Sequence, residues 1–201
     1  MTNRGAVGVL IVVIAVLGTA AAYQAVRAAD AHELEDRLRA LDDHIQIEQL
    51  LMRYAAALNT EDADAYVAMF TPDAVFELKR NVGEEPFLGP FKGRDALRKQ
   101  WFPDSPVGTV NAGAGREFGP MRHVTTNYEI AVNGATATVR AFFIEVVSNG
   151  ANTPPGSNAP TIHAMGRYED ELVKHDGQWL FSKRVVVTDM NTAWEPAPAA
   201  R

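Results

Sequence analysis

Apolar residues follow two spacings along this chain, helical in the first half and alternating in the second. From Leu34 to Ile45 they recur every three or four residues, and they continue less regularly to Leu58. This pattern predicts a helix whose first part, from Asp30, is a spacer and whose second part covers a core. The regular stripe spans fewer than two heptads, which is too short for a coiled coil.

Shorter elements follow this helix. The segment "TEDADAYVAMF" predicts a second helix, capped by Thr60 or Asp62, and "GRDALRKQWF" predicts a third. "TPDAVFEL" predicts a first strand. From Arg122 onward the residue pattern is typical of strands, and turns at Asn133-Gly134 and Asp176-Gly177 predict two hairpins. Helices followed by antiparallel strands predict an α+β fold, with the helices on one face of a curved sheet.

The N-terminus carries the clearest signal for cellular location. Arg4 precedes an uncharged run from Gly5 to Val26. Its most apolar part has the length of a signal-peptide core and is followed by an A-x-A cleavage site, but the whole run has about the 20 residues of a membrane span. Both alternatives place the rest of the chain outside the cytoplasm, with membrane contact only through this segment. We divide the chain into a signal peptide or anchor, a helical spacer, a folded domain and a disordered tail, at residues 1–29, 30–42, 43–190 and 191–201.

Composition excludes several functions. A net charge of -6 and a pI near 5.4 argue against nucleic-acid binding. Because the chain has no cysteine, disulfides, thiolate nucleophiles and cysteine-ligated zinc are excluded. No HExxH motif, paired-carboxylate signature or phosphate-binding glycine loop is present, so we expect neither a metal nor a cofactor. The glycine-rich "NAGAGREFG" at 111–119 is expected to form a flap.

His123, near the start of a predicted strand, is the first candidate for chemistry. Strict alternation puts it on one face with Thr125, whereas the apolar residues Val124, Ile130 and Val132 share the other. The apolar face is normally the buried one, so His123 would point away from the core. A β-bulge, or a polar pocket lined by its own face, would instead make it functional.

The order of elements, carried by "IQIEQLLMRYAAALNTEDADAYVAMFTPDAVFEL", "GRDAL", "MRHVTTNYEIAVNGATATV" and "GRYEDELVKHDGQWLFSKRVV", resembles the SnoaL-like branch of the nuclear transport factor two-like superfamily. That group includes polyketide cyclases, scytalone dehydratase and bile acid dehydratase. The resemblance implies a cone-shaped α+β barrel with helices on the concave face of the sheet. In dehydratase-like members a helix tyrosine, an aspartate five residues later and a strand histidine form the site. Tyr54 and His123 match this pattern, whereas Asn59 occupies the aspartate position.

The resemblance implies a cofactor-independent lyase or isomerase acting in an enclosed pocket on a small apolar molecule, such as a steroid, terpenoid or polyketide. His123 would be the general base, Tyr54 would donate a hydrogen bond to a carbonyl or leaving hydroxyl, and Asn59 would orient the histidine or substrate. Asparagine cannot stabilise an imidazolium as a carboxylate does. The alternative is therefore a non-catalytic module that binds a small molecule or mediates dimerisation.

Each candidate also has a structural interpretation. Tyr54 fits a half-buried packing role, and Asn59 fits a helix end in the left-handed conformation that asparagine tolerates. Glu145 lies within the apolar "AFFIEVV", either at an edge or partly buried as a ligand-binding base with a raised pKa. His163 is a second ligand-binding candidate or a hydrogen-bonded edge residue. Apolar residues on both faces of the strands at 135–148 and 178–188, together with the family resemblance, predict a homodimer.

Overall fold

A computed structural model describes residues 4–81, 83–103, 121–147 and 159–189. The predicted flap at 111–119 and the predicted tail at 191–201 lie outside these ranges, and the surroundings of side chains 4–22 are likewise not described. The described elements are α1 (Arg4–Thr60), α2 (Ala63–Ala68), β1 (Phe70–Lys79), β2 (Leu88–Lys92), α3 (Arg94–Trp101), β3 (Met121–Asn133), β4 (Thr136–Val147), β5 (Thr161–His175) and β6 (Gln178–Thr188).

The chain divides into two compact units, Met1–Asp43 and His44–Arg201. In the first unit charged side chains pair along α1, as between Arg37 Nη2 and Glu33 Oε1 at 2.6 Å. The apolar side chains of Leu34, Leu38 and Leu41 are exposed. Among the described residues, no helix has a stretch long and apolar enough to cross a membrane.

The second unit is built on an open six-stranded sheet in the order β2-β1-β6-β5-β4-β3. Strands β1 and β6 are parallel, and the other neighbours are antiparallel. Asp176 and Gly177, at the β5–β6 turn, have φ values of 50° and 77°, as a tight hairpin turn requires. The predicted α+β class is confirmed. Strand β2 was not predicted, because five residues containing Gly89 and Pro90 carry a weak strand signal.

One face of the sheet, here called the inner face, forms the core with the second part of α1. Ile47, Leu50 and Leu51 on this helix are fully buried. Asp62 caps α2 by accepting a hydrogen bond from the backbone N–H of Ala65 at 2.9 Å. Besides Ile47, Leu50 and Leu51, the largest fully buried aromatic and aliphatic side chains of the core are Trp179, Tyr66, Phe70, Phe76, Phe181, Leu78, Leu97 and Leu172.

Asn59 does not adopt the left-handed conformation that asparagine tolerates at a helix end. Helix α1 continues through it to Thr60, and Glu61 is the residue with a positive φ, 57°. The Asn59 side chain is therefore carried by regular helix at the last turn of α1. This position matters because the amide reaches the neighbouring sheet.

Candidate functional site

A β-bulge places His123 on the inner face of the sheet. The pairing of β3 with β4 shifts between Thr126 and Glu129, and Asn127 within the shift has a φ of 55°. An extra residue reverses the alternation, so His123 before the bulge shares a face with Ile130 after it. Strict alternation would have put His123 on the face opposite Ile130, and the bulge is the reason that both residues lie on the inner face.

His123 makes three close contacts with two side chains. Its backbone N–H donates to Asn59 Oδ1 at 2.9 Å, and its Nδ1 lies 2.9 Å from the same oxygen. On the other side of the ring, Nε2 lies 2.7 Å from Glu145 Oε1. The side chains of His123 and Glu145 are 6% and 5% exposed. The structure thus joins helix α1, strand β3 and strand β4 through one imidazole.

The hydrogen-bond pattern determines which nitrogen of His123 carries a proton. A backbone N–H can only donate, so the Asn59 atom that receives it must be the amide oxygen. The same oxygen can only accept from Nδ1, which assigns a proton to Nδ1. The contact between Nε2 and Glu145 Oε1 then requires one further proton between these two atoms.

Glu145 reaches His123 because it belongs to the buried set of β4. Every second residue of this strand from Ala137 to Val147 is buried, and Glu145 continues the series. It pairs in register with His123 on β3 and with Ala164 on β5. In the described part of the chain, Glu145 Oε2 is buried with no hydrogen-bond partner, and so is Thr125 Oγ1 on the same face of β3.

Tyr54 lies in an aromatic cluster and not against His123. Its ring centroid is 5.3 Å from that of Tyr66, 5.9 Å from Tyr168 and 5.8 Å from Phe181. Burial raises the pKa of Tyr54, partly opposed by Arg184, and raises the pKa of Tyr66 and of Tyr168 well above the usual value. All three phenols therefore remain protonated near neutral pH and can act as hydrogen-bond donors.

A buried ion pair that was not predicted from the sequence lies beside this cluster. Arg184 donates from Nε and Nη2 to the two oxygens of Asp170 at 2.8 and 2.6 Å, and both side chains are fully buried. The Arg184 Cζ lies 3.9 Å from the ring centroid of Tyr54, 4.1 Å from that of Tyr168 and 4.2 Å from that of Phe181. Burial raises the pKa of Asp170, opposed by Arg184. Although burial disfavours the charge on Arg184, Asp170 raises its pKa above the usual value.

The alternation of β5 contained the signal for this pair. Asp170 shares a face with Tyr168 and Leu172, both of which are buried. Arg184 in the same way shares a face with the buried Val186 on β6. An acid on one strand and a base on another, each inside an apolar face, indicate a buried pair.

His163, the remaining candidate, is half-buried on β5. It lies at the irregularity between the pairs Glu145–Ala164 and Val146–Ile162. The described residues contain no group of three or more His, Asp or Glu side chains that could hold a metal ion.

A groove of about 570 Å³ lies on the outer face of the sheet and is separate from this site. Its charged side chains are of both signs, and Arg140 Nη1 lies 3.3 Å from Glu129 Oε2. Neither His123 nor Glu145 lines it. Its mixed charges do not select one class of ligand.

Comparisons with known proteins identify the family. A model of the SnoaL-like domain matches residues 39–185. The chain is 26% identical over 145 residues to an "Uncharacterized protein" of Mycobacterium tuberculosis strain H37Rv, covering 72% of this chain and 84% of that protein.

Solved structures agree with the family match. A Novosphingobium aromaticivorans structure described as "Putative Scytalone Dehydratase" is similar at 25% identity and a TM-score of 0.57, covering 81% of this chain and 96% of that one. An NTF2-like protein with a cystatin-like fold from the same species shows the same fold at 22% identity and a TM-score of 0.59, covering 80% and 91%. With the family model spanning most of its length, this chain belongs to the SnoaL-like domain family.

Proposed function

We propose that this chain is a cofactor-independent lyase or isomerase that acts by acid–base chemistry on a small apolar molecule. The observation that carries the proposal is the buried His123–Glu145 pair, whose Nε2 and Oε1 atoms are 2.7 Å apart. A positioned imidazole or carboxylate can take a proton from a carbon atom and return it to a leaving oxygen.

Glu145 supports the proposal because it holds the negative charge that Asn59 lacks. Asparagine orients the ring through Nδ1 but cannot stabilise an imidazolium. The carboxylate of Glu145 stabilises it from the opposite nitrogen. In the dehydratase-like pattern one aspartate both orients the ring and stabilises the imidazolium. In this chain Asn59 would orient the ring and Glu145 would stabilise the imidazolium.

The residues of the inner face support the proposal that the substrate is a small apolar molecule of the steroid, terpenoid or polyketide type. Buried rings dominate the core near the pair, including Phe143 and Tyr168, which stack with centroids 4.6 Å apart. The similarity to a protein described as "Putative Scytalone Dehydratase" supports a dehydration as the reaction. Tyr54 is proposed to donate a hydrogen bond to a carbonyl or leaving hydroxyl, since burial keeps its phenol protonated.

The second candidate is a non-catalytic module of the same fold that binds a small molecule or mediates dimerisation. The nearly complete burial of His123 and Glu145 favours it, because a buried ion pair can be retained for structure alone. The two functions differ in one observable, which is turnover.

Turnover is tested with 3-hydroxycyclohexanone, whose dehydration gives a conjugated enone that absorbs in the ultraviolet, and with larger cyclic β-hydroxyketones. We expect the wild type to dehydrate at least one of them and the double variant His123→Gln/Glu145→Gln to lose this activity. The matched control is His175→Gln, because His175 also contacts an acid, Asp176, at 3.1 Å but is 73% exposed. Binding of the ketones without turnover by the wild type would support the non-catalytic module.

We also propose that two copies pair through the outer face of the sheet. Five side chains there form an outer apolar patch, defined as Val124, Phe142, Ile144, Ile162 and Met165. Val124 is opposite Ile144, which is opposite Met165, so the patch crosses three strands. Phe142 and Val124 are 46% and 50% exposed. A self-complementary contact between two such patches would cover them in a twofold dimer.

A further inference from the structure

We infer that Oε2 of Glu145, and not a ring nitrogen of His123, is the atom that takes the proton from the substrate. This assignment rests on the proposed function and specifies its base. It differs from the general-base role that the family resemblance implies for the histidine. Three features of the described structure lead to it: the proton on Nδ1, the hydrogen bond made by Nε2, and the surroundings of Oε2.

Neither nitrogen of His123 has a free lone pair. Nδ1 carries a proton because its contact at 2.9 Å is with an amide oxygen. Nε2 shares a proton with Glu145 Oε1 across 2.7 Å. A general base needs an unprotonated atom within hydrogen-bond reach of the proton it removes. To act as that base, the imidazole would first have to break one of these contacts.

Glu145 Oε2 remains available wherever the bridging proton lies. If the proton is on Nε2, Glu145 is a carboxylate and Oε2 is basic. If the proton is on Oε1, a proton arriving at Oε2 moves the bridging proton to Nε2, since a carboxylic acid keeps only one proton. Both distributions end with imidazolium and a protonated Oε2, so the basic atom of the pair is the same.

The surroundings of Oε2 fit a ligand-binding atom. It is buried without a hydrogen-bond partner in the described part of the chain. Buried carboxylate oxygens normally have partners, so such an atom calls for one from outside these residues. Thr125 Oγ1, on the neighbouring strand and the same face, is also buried without a hydrogen-bond partner among the described residues. A substrate that offers a proton to Oε2 and an oxygen to Thr125 would satisfy both.

The resulting dehydration balances in protons and electrons. The C–H bond beside the substrate carbonyl breaks, its proton passes to Oε2, and its electron pair forms an enolate. The enolate then collapses to a C=C bond as the C–O bond to the β-hydroxyl breaks. The leaving hydroxyl takes the proton back from Oε2 and departs as water. His123 keeps its contacts throughout and is a positioning residue.

The test measures exchange of deuterium from solvent into the α-carbon of cyclohexanone, which requires only the first proton transfer. We compare wild type, Glu145→Gln, His123→Gln and the control Glu35→Gln, whose target is 68% exposed in the first unit. Glu145→Gln should lose about 10²–10⁴-fold in exchange rate, the usual contribution of a general base. His123→Gln should lose less, because glutamine can still donate to Oε1. Glu35→Gln should match wild type.

Chemical rescue adds a readout that a purely structural role would not change, because a small carboxylate can replace a missing general base but cannot restore lost packing. Formate should restore exchange to Glu145→Ala by replacing the missing carboxylate.

Each outcome decides a specific question. Absence of exchange in the wild type would overturn the proposed function and the assignment together. Exchange that persists in Glu145→Gln but disappears in His123→Gln would overturn only the assignment, and His123 would be the base. Circular dichroism checks folding of each variant. Should neither Glu145 variant fold, complete loss of exchange in folded His123→Gln would overturn the assignment, and retained exchange would support it.

Discussion

Removing Asp170 should destabilise the second unit much more than removing Arg184. Both side chains are fully buried, and two hydrogen bonds of 2.8 and 2.6 Å join them. The substitutions are Asp170→Leu, Arg184→Met and the double variant, which replaces the pair with apolar side chains. The double variant is essential because it separates the cost of an unpaired charge from the value of the pair.

The expected magnitudes follow from which charge is left behind. Asp170→Leu leaves a guanidinium that cannot lose its proton, with Nη1 already lacking a partner among the described residues. Breaking a buried pair in this way costs about 3–5 kcal/mol. Arg184→Met costs less because Asp170 can become neutral, and burial already raises its pKa. The double variant should be more stable than Asp170→Leu, since apolar replacement of a buried pair is often neutral.

Urea unfolding of the full chain at pH 7 and pH 5 measures these free energies. The folded pKa of Asp170 in Arg184→Met is raised above its unfolded value, so its contribution to stability is present at low pH and lost as pH rises. That variant should therefore recover stability at pH 5, whereas Asp170→Leu should not. The surface control is Arg37→Met, which removes an exposed pair of 2.6 Å and should cost about 0.5 kcal/mol or less. Additive costs in the double variant, or a loss below about 1 kcal/mol in Asp170→Leu, would show that the unpaired charge of Arg184 is not what destabilises the fold.

Three further predictions concern the tyrosines, position 59 and assembly. Burial raises the pKa of Tyr54, Tyr66 and Tyr168 above an unfolded value of about 10, so stability should fall above that pH, by up to about 1.4 kcal/mol per pH unit for each tyrosine. Urea unfolding should show a shallower fall in Tyr168→Phe and an unchanged one in Tyr23→Phe, whose target is exposed. Asn59→Asp should favour the imidazolium without raising the rate of deuterium exchange, because Glu145 already provides a carboxylate; a large gain in rate would mean that position 59 alone limits activity. Phe142→Lys, in the outer apolar patch, should convert a dimer to monomer in sedimentation analysis while Asn133→Lys at the hairpin turn does not; a monomeric wild type at micromolar concentration would contradict the dimer.

The sequence predicted the elements of the fold better than the direction of individual side chains. Helical spacing and hairpin turns depend on local residues, and the α+β class followed from them. The direction of His123 depended on a bulge at Asn127, where the residues of β3 alone do not reveal which one is left unpaired with β4. Strict alternation therefore predicted the wrong face for this histidine, whereas the alternative of a β-bulge predicted the right one.

The sequence also did not predict which side chains face each other on neighbouring strands. Glu145 was expected either at an edge or partly buried as a ligand-binding base, and no partner was predicted for it, but the register of β3 and β4 places it opposite His123. Register depends on the bulge and on the lengths of the hairpin strands, which are tertiary properties. The Asp170–Arg184 pair was missed for the same reason, although the alternation of β5 placed Asp170 among buried residues.

The hydrogen-bonding state of the His123 ring shows whether Glu145 provides the carboxylate that position 59 lacks. Nitrogen-15 NMR of the histidine rings, assigned with His123→Gln, distinguishes a protonated or hydrogen-bonded nitrogen from one with a free lone pair. We expect neutral-pH spectra in which His123 Nδ1 is protonated and Nε2 is hydrogen-bonded, with the Nε2 signal changed in Glu145→Gln. A His123 Nε2 with a free lone pair in the wild type, unaffected by Glu145→Gln, would contradict the account.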